Sequence, residues 1–136
     1  MRRVTYDDVP WVRDLFKKRF HNFDVETAEA WYRNVVLPNP MLWLPIRSTH
    51  GFLTAFLKSV PWLPDQKICT VITVCCDEGK VWQALPLLRY SIAWARHRGA
   101  ASWEYESDRP EIDIGPLAKR LGMTSREPRY CINLEN

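Results

Sequence analysis

The sequence predicts an α/β domain of the α+β kind, with a single central mixed sheet flanked by helices, and three observations lead there. Lys67 to Cys76 contains the β-branched run Thr70-Val71-Ile72-Thr73-Val74, which reads as a central strand buried on both faces. Leu85, Leu88, Ile92 and Ala95 then recur at helical spacing. Ahead of both, the apolar runs Met41 to Ile46 and Phe52 to Val60 flank Ser48-Thr49-His50-Gly51, the small and polar residues of a hairpin connection. A hairpin followed by strand, helix and strand demands mixed pairing, with helices covering both faces.

Each element has its own local reason. Arg3-Val4-Thr5-Tyr6 is a short β-like start, and Asp7 and Asp8 are N-cap candidates before Val9-Pro10, where a first helical turn tolerates proline. Val12, Leu15, Phe16 and Phe20 form the apolar stripe of that helix, with Arg13, Lys17 and Lys18 toward water. A second helix is predicted from about Glu26 to Val36, stopped by Pro38-Asn39-Pro40. Val60-Pro61-Trp62-Leu63-Pro64 is expected to be a loop carrying apolar side chains, because proline removes ladder donors. Pro86 places the next helix start near Gln83 or Ala84, which frees the preceding N–H groups. Its end is marked by Arg96, His97, Arg98 and Gly99. Ser102 to Glu106 is a strand with Trp103 and Tyr105 on one face and Glu104 and Glu106 on the other. A short helix from Asp113 to Leu121, closed by Gly122, and a strand from Arg129 to Leu134 complete the order β-α-α-β-β-β-α-β-α-β.

The 136 residues contain no linker, repeat or charge block that would divide them, so residues 1–136 read as one domain. A hydrophobic share of 46% and a charged share of 26% suit a globular core, and the net charge of +3 identifies no partner. The first residues lack an apolar leader and no run is long enough to span a bilayer, which points to a cytoplasmic protein without membrane contact. Cys69, Cys75, Cys76 and Cys131 lack metal-ligand spacing and read as buried free thiols; no metal site is expected. His50 reads as a turn residue and His97 as a helix-capping cation. Arg2, Arg3, Arg13, Lys17, Lys18 and Arg19 are a solvated basic face before they are a nucleic-acid surface. Trp62, between two prolines, is the tryptophan best placed for a partner or for self-association through Val60–Pro64.

Across nearly the whole chain this order resembles the GNAT acetyltransferase superfamily. The likeness is carried by Arg3-Val4-Thr5 followed by Asp7-Asp8 and a helix, by Ile92-Ala93-Trp94-Ala95-Arg96-His97-Arg98-Gly99-Ala100, and by Leu117-Ala118-Lys119-Arg120-Leu121-Gly122-Met123. The resemblance implies an acetyl-CoA site where the central strand, through Val74, Cys75 and Cys76, passes over a turn into a helix N-terminus that cradles the pyrophosphate. The residues assigned to that cradle are Gly79, Lys80, Val81, Trp82 and Ala84. The family's pattern of Gln or Arg, two residues, Gly, one residue, then Gly or Ala falls on Gly79, Trp82 and Ala84, and only Ala84 fits. Trp82 places a bulky side chain where phosphate normally approaches backbone, and Asp77 and Glu78 add negative charge that Lys80 alone offsets.

The family's thiolate-protonating Tyr matches Ala118, and its coenzyme-contacting Asn matches Glu111. Substitutes within this sequence are Tyr105 or Tyr130 as acid, and Glu104 or Glu106 to activate an amine. Two readings follow: an acetyl-CoA-dependent N-acetyltransferase acting on an amine through a degenerate coenzyme site, or a catalytically inactive GNAT-fold protein that binds protein partners. The second resembles the small divergent GNAT-like proteins of bacteriophages, some of them internal virion components.

Overall fold

The computed structural model describes residues 1–105 and 119–122, the side chains of Val60 and Pro64 excepted. Five strands form one sheet in the order of the chain: β1 (Arg2–Arg3), β2 (Trp43–Arg47), β3 (Gly51–Val60), β4 (Leu63–Cys76) and β5 (Ser102–Tyr105). The first four pair antiparallel and β5 joins β4 parallel, the mixed sheet expected from a hairpin followed by strand, helix and strand. Helices α1 (Val9–Arg19) and α2 (Val25–Trp31) cover one face, and α3 (Ala84–His97) covers the other.

The start of the chain is held by one carboxylate. Asp8 accepts from the Arg2 guanidinium through both oxygens, from the Thr5 N–H at 2.8 Å and from Arg47 at 3.1 Å, and Arg47 stacks 3.5 Å over the Trp11 ring. The Arg2 bonds first, and those from Thr5, keep the Asp8 carboxyl well below the usual carboxylate range, and together with Arg47 they bind β1, α1 and β2. Asp24 caps α2 by accepting from the Thr27 N–H at 3.0 Å. The helix then continues through a π turn, Tyr32–Val36, closed by the Leu37 N–H on the Tyr32 carbonyl at 3.0 Å. Tyr32 and Val36 are both buried against the sheet.

Two half-cores result. On the α3 side, Leu44, Ile46, Leu53 and Leu57 of the sheet meet Leu87 and Leu88 of α3, all buried. On the other side, Val9, Val12 and Leu15 of α1 pack with Tyr32, Phe52 and Cys75. Truncating a fully buried Leu such as Leu87 to Ala costs about 2–5 kcal/mol in such a core.

Several expected boundaries move. Val60–Pro64 is not a loop: β3 runs to Val60, β4 begins at Leu63, and only Pro61 and Trp62 turn between them. The prolines are tolerated because Pro61 sits in the turn itself, and Pro64 falls where the register slips between Lys58 and Val60, so no regular rung is lost. The first strand is Arg2–Arg3 instead of Arg3 to Tyr6, since Tyr6–Asp8 winds into a 3₁₀ turn. The central strand is not uniformly buried; Ile72 is 39% exposed. α3 starts at Ala84 as predicted, yet a 3₁₀ turn, Val81–Gln83, precedes it and uses one N–H expected to be free: Gln83 donates to the Lys80 carbonyl at 2.8 Å. Lys119–Leu121 is helical and Gly122 has φ 68°, as expected for a helix closed by glycine. The remainder of the Asp113 helix and the strand from Arg129 to Leu134 lie outside the described residues.

Candidate active site

β4 changes face at a bulge. Thr54 pairs with Thr73 and the next β3 residue, Ala55, pairs with Val71, so Ile72 is an extra residue in β4. Its peptide groups are thereby withdrawn from the regular β3 ladder. The parallel ladder with β5 runs from Ile68↔Ser102 to Val71↔Tyr105, and so its last described rung lies immediately before the bulge. An interrupted central strand beside a parallel neighbour offers a place where a ligand carbonyl can meet backbone.

Beyond the bulge, β4 leads through Val74, Cys75 and Cys76 to the turn before α3. Val74 and Cys76 pack on the α3 side and Cys75 on the α1 side, its thiol 3.7 Å from the Leu15 carbonyl. The Asp77 N–H donates to the His50 carbonyl at 2.7 Å, and His50 Nδ1 lies 3.1 Å from Asp77 Oδ2, so the carboxylate that crowded the proposed anion site in the sequence is engaged by the β2–β3 turn. Lys80 N–H closes the turn on the Asp77 carbonyl at 2.9 Å. Gly79 has φ 75° with open space where a Cβ would stand, so its backbone conformation, not crowding, calls for glycine.

The 3₁₀ turn presents Val81 and Trp82 outward, 51% and 52% exposed, while Ala84 is buried at the helix entrance. Gly79, Lys80, Val81 and Trp82, the residues expected to form the cradle, share one exposed turn at the start of α3, and Ala84 joins the core beneath them. The α3 dipole adds positive potential there.

Arg19 was not singled out for this site by sequence. It stands at the end of α1 and donates through Nε and Nη2 to the Cys76 carbonyl at 3.0 and 2.6 Å, which brings a second cation to the end of β4. Only its position at the last turn of a helix hinted at a capping role, and nothing in the sequence indicated a carbonyl far along the chain. Thr73 was likewise hidden within a run of β-branched residues; its Oγ1 is buried and has no hydrogen-bond partner among the described residues.

Of the proposed catalytic residues, Glu104 is exposed on β5 opposite Thr70, and Tyr105 packs toward the α3 side opposite Val71. Trp103 and Tyr105 therefore share one face and Glu104 takes the other, as the alternation predicted. Trp103 Nε1 donates to Ser91 Oγ at 2.9 Å, which in turn donates to the Leu88 carbonyl at 2.7 Å, locking β5 onto α3. Tyr130, Glu106, Glu111 and Ala118 lie outside the described residues. Among the described residues no helix is long and apolar enough to cross a membrane.

No protein-family model matches this sequence, and no curated protein matches it. Solved structures do. The aminoglycoside N-acetyltransferase AAC(6')-Iy in complex with CoA superposes with TM-score 0.76 at 13% identity, covering 99% of this chain and 93% of that one. Glucosamine-6-phosphate N-acetyltransferase from Arabidopsis thaliana gives 0.74 at 8%, covering 98% and 97%. The aminoglycoside 6'-N-acetyltransferase AAC(6')-IG from Acinetobacter haemolyticus gives 0.70 at 11%, covering 98% and 96%. At such identities the likeness concerns architecture, and the phage resemblance gains no support from it. A mixed sheet, five-stranded among the described residues, lies between helical layers, and the likeness over nearly the full length of these structures gives this chain the GNAT acetyltransferase fold.

Proposed function

We propose that the chain is an acetyl-CoA-dependent N-acetyltransferase acting on an amine, built as one domain over residues 1–136. The observation that carries this reading is the bulge at Ile72 beside the β5 ladder, followed by a glycine turn into the α3 N-terminus. An acyl carbonyl requires backbone donors where negative charge develops, and a pyrophosphate requires a helix start with nearby cations. Lys80 and Arg19 would supply those cations, and Gly79, Val81, Trp82 and Ala84 the turn. Acetyl-CoA, when bound, supplies the thioester carbon that the amine attacks. The C–N bond forms, the C–S bond breaks, the amine gives up one proton and the departing thiolate takes one. Glu104 is the candidate to receive the first proton, directly or through water, because it lies on the exposed face of β5. Tyr105 or Tyr130 is the candidate to supply the second.

The test is calorimetry with acetyl-CoA on the purified chain, together with Lys80→Ala and Ala84→Asp. Saturable binding that weakens about tenfold or more in both variants supports the site, a change of roughly 1.4 kcal/mol. Absence of heat at millimolar ligand rejects it.

A second reading rests on Trp62, which is 79% exposed at the tip of the β3–β4 hairpin beside Leu63, itself 42% exposed. An apolar tip of this kind suits a protein partner or a second copy of the chain. Trp62→Ser that keeps the fold but abolishes complex formation would support a binding role.

A further inference from the structure

The face of the sheet that carries Thr73 also carries a partly open pocket, between α1, α2 and the strands, of about 100 Å³. Its walls are Val9, Val12 and Phe16 of α1, Ala28 of α2, and Phe23 and Phe52. Polar groups occur at only two places. Thr54, Tyr32 and Thr73 form the floor, where Thr54 Oγ1 donates to the Tyr32 hydroxyl at a long 3.4 Å and Thr73 Oγ1 is buried with no partner among the described residues. At the rim, Glu29 is held by Arg13 at 3.4 Å and by Arg33 at 3.3 Å.

An apolar pocket with one unanswered hydroxyl selects its ligand by chemistry. A closed apolar cavity of roughly 150 Å³ holds benzene, and this smaller open pocket suits a branched alkyl group or the leading edge of a ring. A buried hydroxyl without a partner costs stability until a ligand answers it. Glu29 is the one carboxylate among the described lining residues, and two guanidinium groups already neutralise it, so this lining favours no polycation. The floor residue Thr73 directly follows the bulge at Ile72.

We infer that this pocket holds the apolar body of the acceptor, and that the substrate class is a small primary monoamine bearing a branched alkyl or phenyl group, its nitrogen hydrogen-bonded by Thr73 Oγ1. The inference rests on the acyl-transfer reading for its chemistry, in which the neutral amine gains the acetyl group and CoA leaves as the thiol. Binding in the pocket stands on the lining alone. It also separates this chain from the aminoglycoside N-acetyltransferases of the same fold.

The probes are 3-methylbutylamine, 2-phenylethylamine and, as a polycation, spermidine, each titrated into the intact protein while the indole N–H resonance of Trp31, a pocket-lining residue, is followed by NMR. The expected result is saturable binding of both monoamines. Ala28→Leu fills the pocket and should weaken it at least tenfold with the fold retained, and Thr73→Val should weaken the amines several-fold while leaving 2-methylbutane unaffected. No saturation by about 10 mM, in the range of very weak sites, or equal binding by Ala28→Leu, overturns the inference. Product analysis with acetyl-CoA separates the two claims. Monoamine binding without N-acetylation upholds the pocket and refutes the acyl-transfer reading; efficient acetylation of spermidine with none of the monoamines upholds transfer and overturns the pocket assignment.

Discussion

Val71 and Thr73 stand two apart on β4 yet face opposite sides of the sheet, Val71 in the core under α3 and Thr73 in the pocket under α1 and α2. In a regular strand they would share a face; the extra residue between them reverses the alternation. Deleting Ile72 makes Val71 and Thr73 consecutive, and consecutive strand residues alternate, so Thr73 and Cys75 should keep their faces while the β3 ladder becomes continuous. A cooperative thermal transition retained by circular dichroism, with acetyl-CoA binding weakened at least tenfold, is the expected outcome; loss of the transition would show that the fold itself depends on the bulge, and unchanged binding that the ligand does not use it.

Ser91 and Trp103 make a second test. Ser91 is fully buried and is the acceptor for Trp103 Nε1. Ser91→Ala should cost about 1–3 kcal/mol because a buried donor loses its partner. Trp103→Phe in the Ser91→Ala background should cost less than in the parent, with a coupling of about 1 kcal/mol in a denaturant double-mutant cycle. Additive costs would mean that α3 and β5 are held by packing alone.

Gly51 begins β3 in tight contact with the end of β4. A Cβ there would meet the Cys75 carbonyl and Cys76 Sγ, each at 2.8 Å. Gly51→Ala should destabilise by about 1–3 kcal/mol through overpacking. It should also weaken acetyl-CoA binding, since the adjacent His50 holds Asp77 at the head of the turn. Chemical denaturation and calorimetry on the same variant check both parts.

Alkali should loosen the fold in two overlapping stages. Burial pushes the Cys69 and Cys76 thiols up to about 11 and the Tyr32 hydroxyl up to about 12. Each is an acid with a raised folded value, so the unfolded chain releases its proton first. The associated stability is complete below the ordinary thiol value of 9 and declines as pH rises toward 11 for the thiols; for the phenol the decline runs from 10 to 12. Denaturant midpoints between pH 8 and 12 should fall accordingly, and Tyr32→Phe should flatten the upper part of the curve. A flat profile in the parent would contradict the burial of these groups.

Most of the architecture was legible because it rests on local signals. Helical spacing from Leu85 to Ala95, the proline near the helix start and Gly99 placed α3 to within two residues, and the second helix begins at Val25, one residue before the expected Glu26. The prolines around Trp62 misled, because local chemistry does not reveal that a ladder is already irregular at that point. The site was less legible. A bulge at Ile72 has no marker when every neighbour is β-branched, and the bond from Arg19 to the Cys76 carbonyl joins residues far apart in sequence. The pocket depends on the docking angle of two helices against the sheet, which periodicity alone does not specify.

Because the sheet is built in chain order, β2, β3 and β4 can pair as soon as they are synthesised, before any residue of α3 exists. A nascent chain ending near Cys76 would then display Leu44, Ile46, Leu53 and Leu57 on an uncovered sheet face, a sticky surface that the next helix begins to conceal. Premature termination in that interval should yield insoluble fragments, whereas a stop after α3 leaves that face capped.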